Sequence, residues 1–345
     1  MGEGSAGIAS GSRKPACIRS PYLRAGVRAA CLLGCVSFLD ACTFGGSRNL
    51  PSDPSLTAAP EDLAEPPEQG TDALSALYAD VEGQLTSTGR MRRDVAPIDA
   101  PYSVDDLVRN FERIALYDEY VDVDGRFLQS ETPAYLRRWE QPVRVAVMTG
   151  PSVLPEEAAR DRANVAAFTN RLSRLTGVDM ALANGPDVNF LVLFMNNSEQ
   201  QAFGREVAAR FPSFSPAVTS AIAETQLDTF CTAYAFSNPD QPALYAAVLI
   251  LIRAEHPPLT KLSCVHEEMA QAMGLPNDSP DARPSLFNDS LEFALLTEHD
   301  EILLRMLYDP RLEPGMTAEE ARPLLPAVAQ DAMQEERAAQ TAGSS

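Results

Sequence analysis

The sequence predicts a mixed α/β (α+β) fold: a mixed sheet with packed helices, preceded by a disordered N-terminal tether. Three observations carry this. Between residues 142 and 275, strand-like runs of period two alternate with helical runs of period 3.6. Apolar residues make up 45 % of the 345-residue chain, enough for a substantial core. Residues 42–70 are rich in Pro, Gly, Ser and Glu, a composition that stays solvated.

The chain opens basic, with Arg13, Lys14, Arg19, Arg24 and Arg28, and runs into "AACLLGCVSFLDAC". That apolar run has the length of a signal-peptide core and is too short to span a bilayer comfortably. Leu39-Asp40-Ala41-Cys42 resembles a bacterial lipobox, whose cysteine thiol is diacylated and becomes the new N-terminus; Asp40 is the residue that departs from the pattern. The expectation is a lipoprotein signal peptide over 1–41, lipidation at Cys42, and a disordered linker over 42–70. A plain cleaved signal or a short buried helix is the alternative. Removing residues 1–41 takes away five basic and two acidic residues, and the net charge goes from −20 to −23. Acyl chains would hold such a body on a lipid bilayer without a spanning helix. The expected location is exported, periplasm-facing and membrane-anchored.

A net charge of −20 repels phosphate backbones and gains nothing from counterion release, so no nucleic-acid partner is expected. A basic ligand is steered better. Of six cysteines, only Cys231 and Cys264 lie beyond the leader and its end. In an oxidising compartment they are expected to form a disulfide closing 33 residues, with two buried free thiols as the alternative.

A single domain is expected over 71–335, with a flexible tail over 336–345. It begins with the helix "DALSALYADVEGQL". A second helix, over 103–120, has Ser103 and Asp106 as a capping pair and Leu107, Phe111 and Ile114 on its apolar face. "VDVDGRF" reads as a hairpin turn, its glycine standing too early for a calcium loop. "PVRVAVMTG" (142–150) is a strand; residues 156–177 are a helix ended by Gly177; "DVNFLVLFMN" (187–196) is a buried strand. Two short helical stretches precede the strands "FCTAYAFS" (230–237) and "LYAAVLILIRAE" (244–255). The helix of residues 262–273 follows, then a turn-rich loop. Another helix opens at Thr297, boxed by Asp300, and a closing loop and helix end the domain.

"SCVHEEMAQAMGLPND" (263–278) carries the chemistry. A zinc peptidase helix needs His-Glu-x-x-His, because side chains four apart share a face and both imidazoles reach one ion. Starting at His266 puts Ala270 in the second ligand position, where no metal can be bound. Anchoring instead on Gly274 keeps a glutamate, Glu268, at the general-base position. Glu267, Gln271 and Asn277 then replace the three imidazoles. At about 100° per residue, Val265, Met269, Ala272 and Met273 share one side, with Glu267, Glu268 and Gln271 opposite. His266 sits at the core edge and reads as a hydrogen-bonded structural residue. His256 and His299 fall in turn or capping contexts.

"EEMAQAMGLPNDSPDARPSLFND" and "EFALLTEHDEILLRMLYDPRLEPGM" resemble a bacterial lipoprotein family of unknown function, domain-of-unknown-function family 2927. Its hallmark is a Glu-Glu-x-x-Gln-x-x-Gly-Leu-x-Asn-Asp helix, and the resemblance spans about residues 103–322. It implies a zincin-like fold and no established reaction. "LTEHDEILLRMLY" is also similar to the last helix of matrix-type metzincins, and "SLFND" stands where those have their Met-turn, with Phe287 near the expected methionine.

The expected site is a cleft lined by Glu267, Glu268, Gln271, Asn277 and Asp278. No cofactor is expected; oxygen donors of this kind suit Ca²⁺ or Mg²⁺ better than Zn²⁺, so a weak divalent site stays open. The leading expectation is a non-catalytic binding or scaffolding protein of the cell envelope, with a peptide or cell-wall ligand. The alternative is a divergent metal-dependent hydrolase, peptidase-like, using Glu268 as general base.

Overall fold

The structure, a computed structural model, describes residues 69–210 and 215–343. The expected signal peptide, the lipidation of Cys42 and nearly all of the linker lie outside the described residues. In chain order the elements are α1 (Gln69–Ser87), α2 (Val104–Ala115), β1 (Tyr117–Val123), β2 (Arg126–Pro133), β3 (Val143–Thr149) and α3 (Pro155–Thr176). Then come β4 (Met180–Leu182), β5 (Phe190–Met195), α4 (Asn197–Arg210), α5 (Pro216–Ala223), β6 (Cys231–Asn238) and β7 (Gln241–Arg253). The chain ends with α6 (Pro258–Gln271), α7 (Glu298–Leu307), α8 (Ala318–Ala321) and α9 (Leu325–Gly343).

A five-stranded sheet in the order β4-β3-β5-β7-β6 organises the body. β3, β4, β5 and β7 run parallel; β6 returns antiparallel to β7 as an edge strand. The mixed α/β class is therefore the observed one. Alternate residues divide between two cores. Phe190, Val192, Phe194, Val248, Ile250 and Ile252 meet α2, α3, α6, α7 and α9 on one face. Leu193, Met195, Leu249 and Leu251 meet Val218 and Ile222 of α5 on the other. Cover on both faces explains why β7 reads as one continuous apolar run. Among the described residues, no helix is long and apolar enough to cross a membrane.

Three expectations are corrected. The helix expected over 103–120 stops at Ala115, and the chain turns directly into β1. Asp124 and Gly125, both at positive φ, close the β1–β2 hairpin as the sequence predicts, and β2 supplies the ladder that draws 117–120 out of the helix. β4 was not expected; at three residues it has no readable period and exists through its parallel pairing with β3. The tail expected from 336 is helical as far as Gly343, and Glu336 is buried with its carboxylate 3.0 Å from Arg305. Both capping boxes, Ser103–Asp106 and Thr297–Asp300, are present, and Gly177 ends α3 in the left-handed conformation.

Candidate functional site

α6 is a helix anchored at both ends. It starts at Pro257-Pro258 with no side-chain cap of its own. Glu82 of α1 supplies one, accepting from the Thr260 N–H at 2.9 Å and its hydroxyl at 2.7 Å. At the far end, the Trp139 indole donates to the Ala272 carbonyl and the Tyr308 hydroxyl to the Met273 carbonyl, each at 2.9 Å. Gly274 follows at φ +126°, and a Cβ there would collide with the Arg137 carbonyl oxygen. Glycine is thus required at the turn on which the sequence register was set. The Cys231–Cys264 disulfide is formed and ties α6 to the edge strand β6.

His266 is structural. Its ring stacks on Phe168 with centroids 4.1 Å apart, and its Nδ1 accepts the Leu296 N–H at 3.1 Å. Burial, with a smaller push from Arg171, lowers its pKa to about 3, so it is neutral. His256 lies within hydrogen-bond distance of the Phe230 carbonyl, and His299 lies between Asn110 and Asp300. The "SLFND" segment packs below: Asp300 accepts from the Ser285 hydroxyl and the Leu286 N–H, and Phe287 is fully buried.

The outer face of α6 carries Glu267, Glu268 and Gln271. Glu268 is only 5 % exposed, while Glu267 is half-buried. Among the described residues, neither side-chain carboxyl forms a hydrogen bond or an ion pair. Asp278, on the loop after α6, accepts from the Gln271 amide at 3.4 Å and shares a hydrogen bond with Asp289. Glu119 reaches the same place from β1, held by Gln129 at 3.1 Å. Four chain segments thus bring five carboxyl groups together, and no Lys or Arg is among the groups that act on Glu267, Glu268 or Asp278.

The electrostatics follow from that grouping. Burial is the largest cause of the raised pKa of Glu267, followed by the charges of Glu268, Glu119 and Asp289. Burial again leads for Glu268, then Asp278 and Glu119; both glutamates are pushed up to about 8. Asp278 is raised well above the usual carboxylate range, by burial and then by Glu267. Such groups take up protons as a set. The phenols of Tyr120 and Tyr234 are raised chiefly by burial, and the charge of Glu268 adds to both.

Of the residues the sequence singles out, Glu267, Glu268, Gln271 and Asp278 come together. Asn277 is committed elsewhere: it is buried, its amide donates to the Arg113 carbonyl at 3.0 Å, and its N–H donates to the Ile114 carbonyl. Sequence reasoning missed Glu119 and Asp289 as site residues. Glu119 lies in no motif and arrives through the β1–β2 hairpin; Asp289 closes the "SLFND" stretch, which stands out for its Met-turn position and not for its carboxyl. The arrangement does not fit a zinc ion, because His266 is committed to Leu296 and Phe168. Among the described residues, no three His, Cys, Asp or Glu side chains converge closely enough to hold a metal ion.

Fold and site define a mixed α/β domain with a group of acidic side chains on and beside α6. The chain belongs to the family described as protein of unknown function (DUF2927), which matches residues 104–327 and so includes all five of these carboxyl residues. No curated protein and no solved structure matches it.

Proposed function

We propose that the protein is an exported, lipid-anchored component of the cell envelope. Its role is non-catalytic binding or scaffolding, through a zincin-like cleft in which oxygen donors stand in place of the histidines. One observation supports the reading: the carboxyls of Glu267, Glu268 and Asp278 act on one another and with Glu119 without a basic partner or a convergent donor set. Grouped, unneutralised carboxyls oppose folding, so a cleft that keeps them is kept for something that enters it. The proposed ligand is a peptide or a cell-wall fragment. Lipid on Cys42 holds the body at a membrane surface, and residues 42–70 give it reach.

The rival is a metal-dependent hydrolase with Glu268 as general base. Metal analysis of the protein purified without chelator, together with peptide hydrolysis assays of the protein and Glu268→Gln, decides between them. The binding reading expects no stoichiometric zinc and no turnover. Zinc lost on Glu267→Ala, or turnover abolished by Glu268→Gln, overturns it. For the anchor, Cys42→Ala is expected to move the protein from the membrane to the soluble fraction; unchanged membrane retention refutes lipidation there.

A further inference from the structure

We infer that the loop of residues 90–98 meets a membrane surface: Ile98 and Val95 enter the headgroup boundary of an anionic phospholipid bilayer, and Arg90, Arg93 and Arg337 meet its phosphates. The inference rests on the membrane location proposed above and names the part of the domain that touches the bilayer.

Four observations support it. First, Ile98 is 99 % exposed, whereas the other exposed large apolar side chains reach at most 56 %. Val95, three residues before it, is exposed too. Water leaves the transfer energy of such a side chain unused, and the acyl boundary of a bilayer recovers it. Second, the tip is held out by a built frame. The Arg92 guanidinium donates to Asp94 and to Asp99, each at 2.7 Å, and so closes the loop at both ends. Arg283 joins Glu292 at 2.7 Å beside it, and the Val95 carbonyl accepts the Glu298 N–H at 2.8 Å. A loop fixed in this way has little freedom left to lose on contact. Third, the local charge departs from that of the chain. Against 48 acidic and 28 basic residues overall, the loop and its frame set Arg90, Arg92, Arg93 and Arg283 against Asp94, Asp99 and Glu292. Arg90 and Arg93 are exposed and, among the described residues, have no ion pair. Anionic headgroups supply the missing partner. Fourth, a cavity of about 310 Å³ opens beside the tip, lined by Val95, Ile98, Ile302, Met333 and the exposed Arg337. Of the two carboxylates there, Glu336 is bonded to Arg305 and Glu298 stands in the first turn of α7. Apolar side chains and a free cation thus meet at one place, the complement of a phospholipid.

A bilayer fits these features better than a second protein. A protein interface surrounds its anchor with a closely packed rim, whereas Ile98 stands alone at a tip. Anionic headgroups repel a body of charge −20, so contact falls where arginines gather. Residues 43–68 lead from Cys42 to α1, and α1 leads directly into this loop.

The test is fluorescence quenching of the full-length chain reconstituted in vesicles of phosphatidylglycerol and phosphatidylcholine. An apolar fluorescent amino acid replaces Ile98 or, for comparison, Leu128, which is 51 % exposed on the β1–β2 hairpin. Bromine on the lipid acyl chains is the quencher. The expected result is quenching at residue 98 at least about threefold stronger than at residue 128. Replacing phosphatidylglycerol by phosphatidylcholine, or making Arg90→Gln/Arg93→Gln, should cut that difference about fivefold or more. Arg126→Gln, exposed on β2, leaves it unchanged. Thermal melts check that the variants fold. Equal quenching at the two positions overturns the inference, as does none at residue 98. An emission change at residue 98 that follows protein density and not bromine places a second copy on the loop and also overturns it. Fractionation of Cys42→Ala reads the anchor separately. Membrane retention that depends on Cys42, without quenching at residue 98, refutes the loop and leaves the anchor standing. Quenching at residue 98 in a chain whose retention ignores Cys42 supports the loop and refutes the anchor.

Discussion

Glu267 and Glu268 keep their protons to about pH 8 because burial and neighbouring carboxyls penalise the charged forms. In the unfolded chain a glutamate ionises near about pH 4.3. A carboxyl raised on folding adds stability below the unfolded value, and that stability is lost as pH rises through the folded one. Stability should therefore fall between about pH 5 and pH 8, and the double variant Glu267→Gln/Glu268→Gln should flatten that fall. Urea unfolding at both pH values measures it; an unchanged slope in the variant rejects the assignment. His266 and His256, lowered to about 3 and about 4 chiefly by burial, act in the opposite direction. Neutral in the fold, they lose stability as pH falls from about 6.5 toward those values. His266→Ala removes the stack on Phe168 and leaves the Leu296 N–H without its acceptor. A loss of about 2–4 kcal/mol is expected by denaturant unfolding. A loss below about 0.5 kcal/mol would contradict the structural role given to this ring.

At the scale of elements, α6 stays in place through contacts far apart in sequence. Glu82 caps its start, Trp139 and Tyr308 take the Ala272 and Met273 carbonyls just past its end, and the disulfide holds its middle to β6. The bridge closes 33 residues, so Cys231→Ser/Cys264→Ser should cost about 3–4 kcal/mol on the chain-entropy model. Guanidinium unfolding reads that value, and an unshifted midpoint would show that the bridge does not hold α6. Local signals located most of the elements. Ser103 and Thr297 start helices because their hydroxyls satisfy N–H groups that any helix leaves free, and Gly177 ends one because it tolerates positive φ. Strand β1 was hidden because "ALYDEY" continues a helical pattern without interruption; only pairing with β2 makes it a strand. Likewise β4 has three residues and no signal apart from β3.

Across the whole molecule, a charge of −20 sets the long-range field. Self-repulsion of this size weakens with salt. Raising sodium chloride from about 10 mM to about 150 mM shortens the screening length from roughly 30 Å to 8 Å and is expected to raise the melting temperature. A melting temperature indifferent to salt would mean that the acidic groups are too dispersed to matter. The same acidic character gathers at one place around α6, where one of the five carboxyls, Glu119, lies outside every motif.

The chain by itself determined the class of fold, the phase of α6 and the identity of its polar face. Period, caps and an obligatory glycine are local properties, decided by backbone geometry and by which side chains water accepts. Only the tertiary structure decided what that face confronts. Burial and the distance between charges depend on segments about 150 residues apart, Glu119 on β1 and Glu268 on α6. It turned Asn277 to the end of α2, set His266 against Phe168, and brought in Glu119 and Asp289, because proton affinity is fixed by what surrounds a carboxyl in space rather than along the chain.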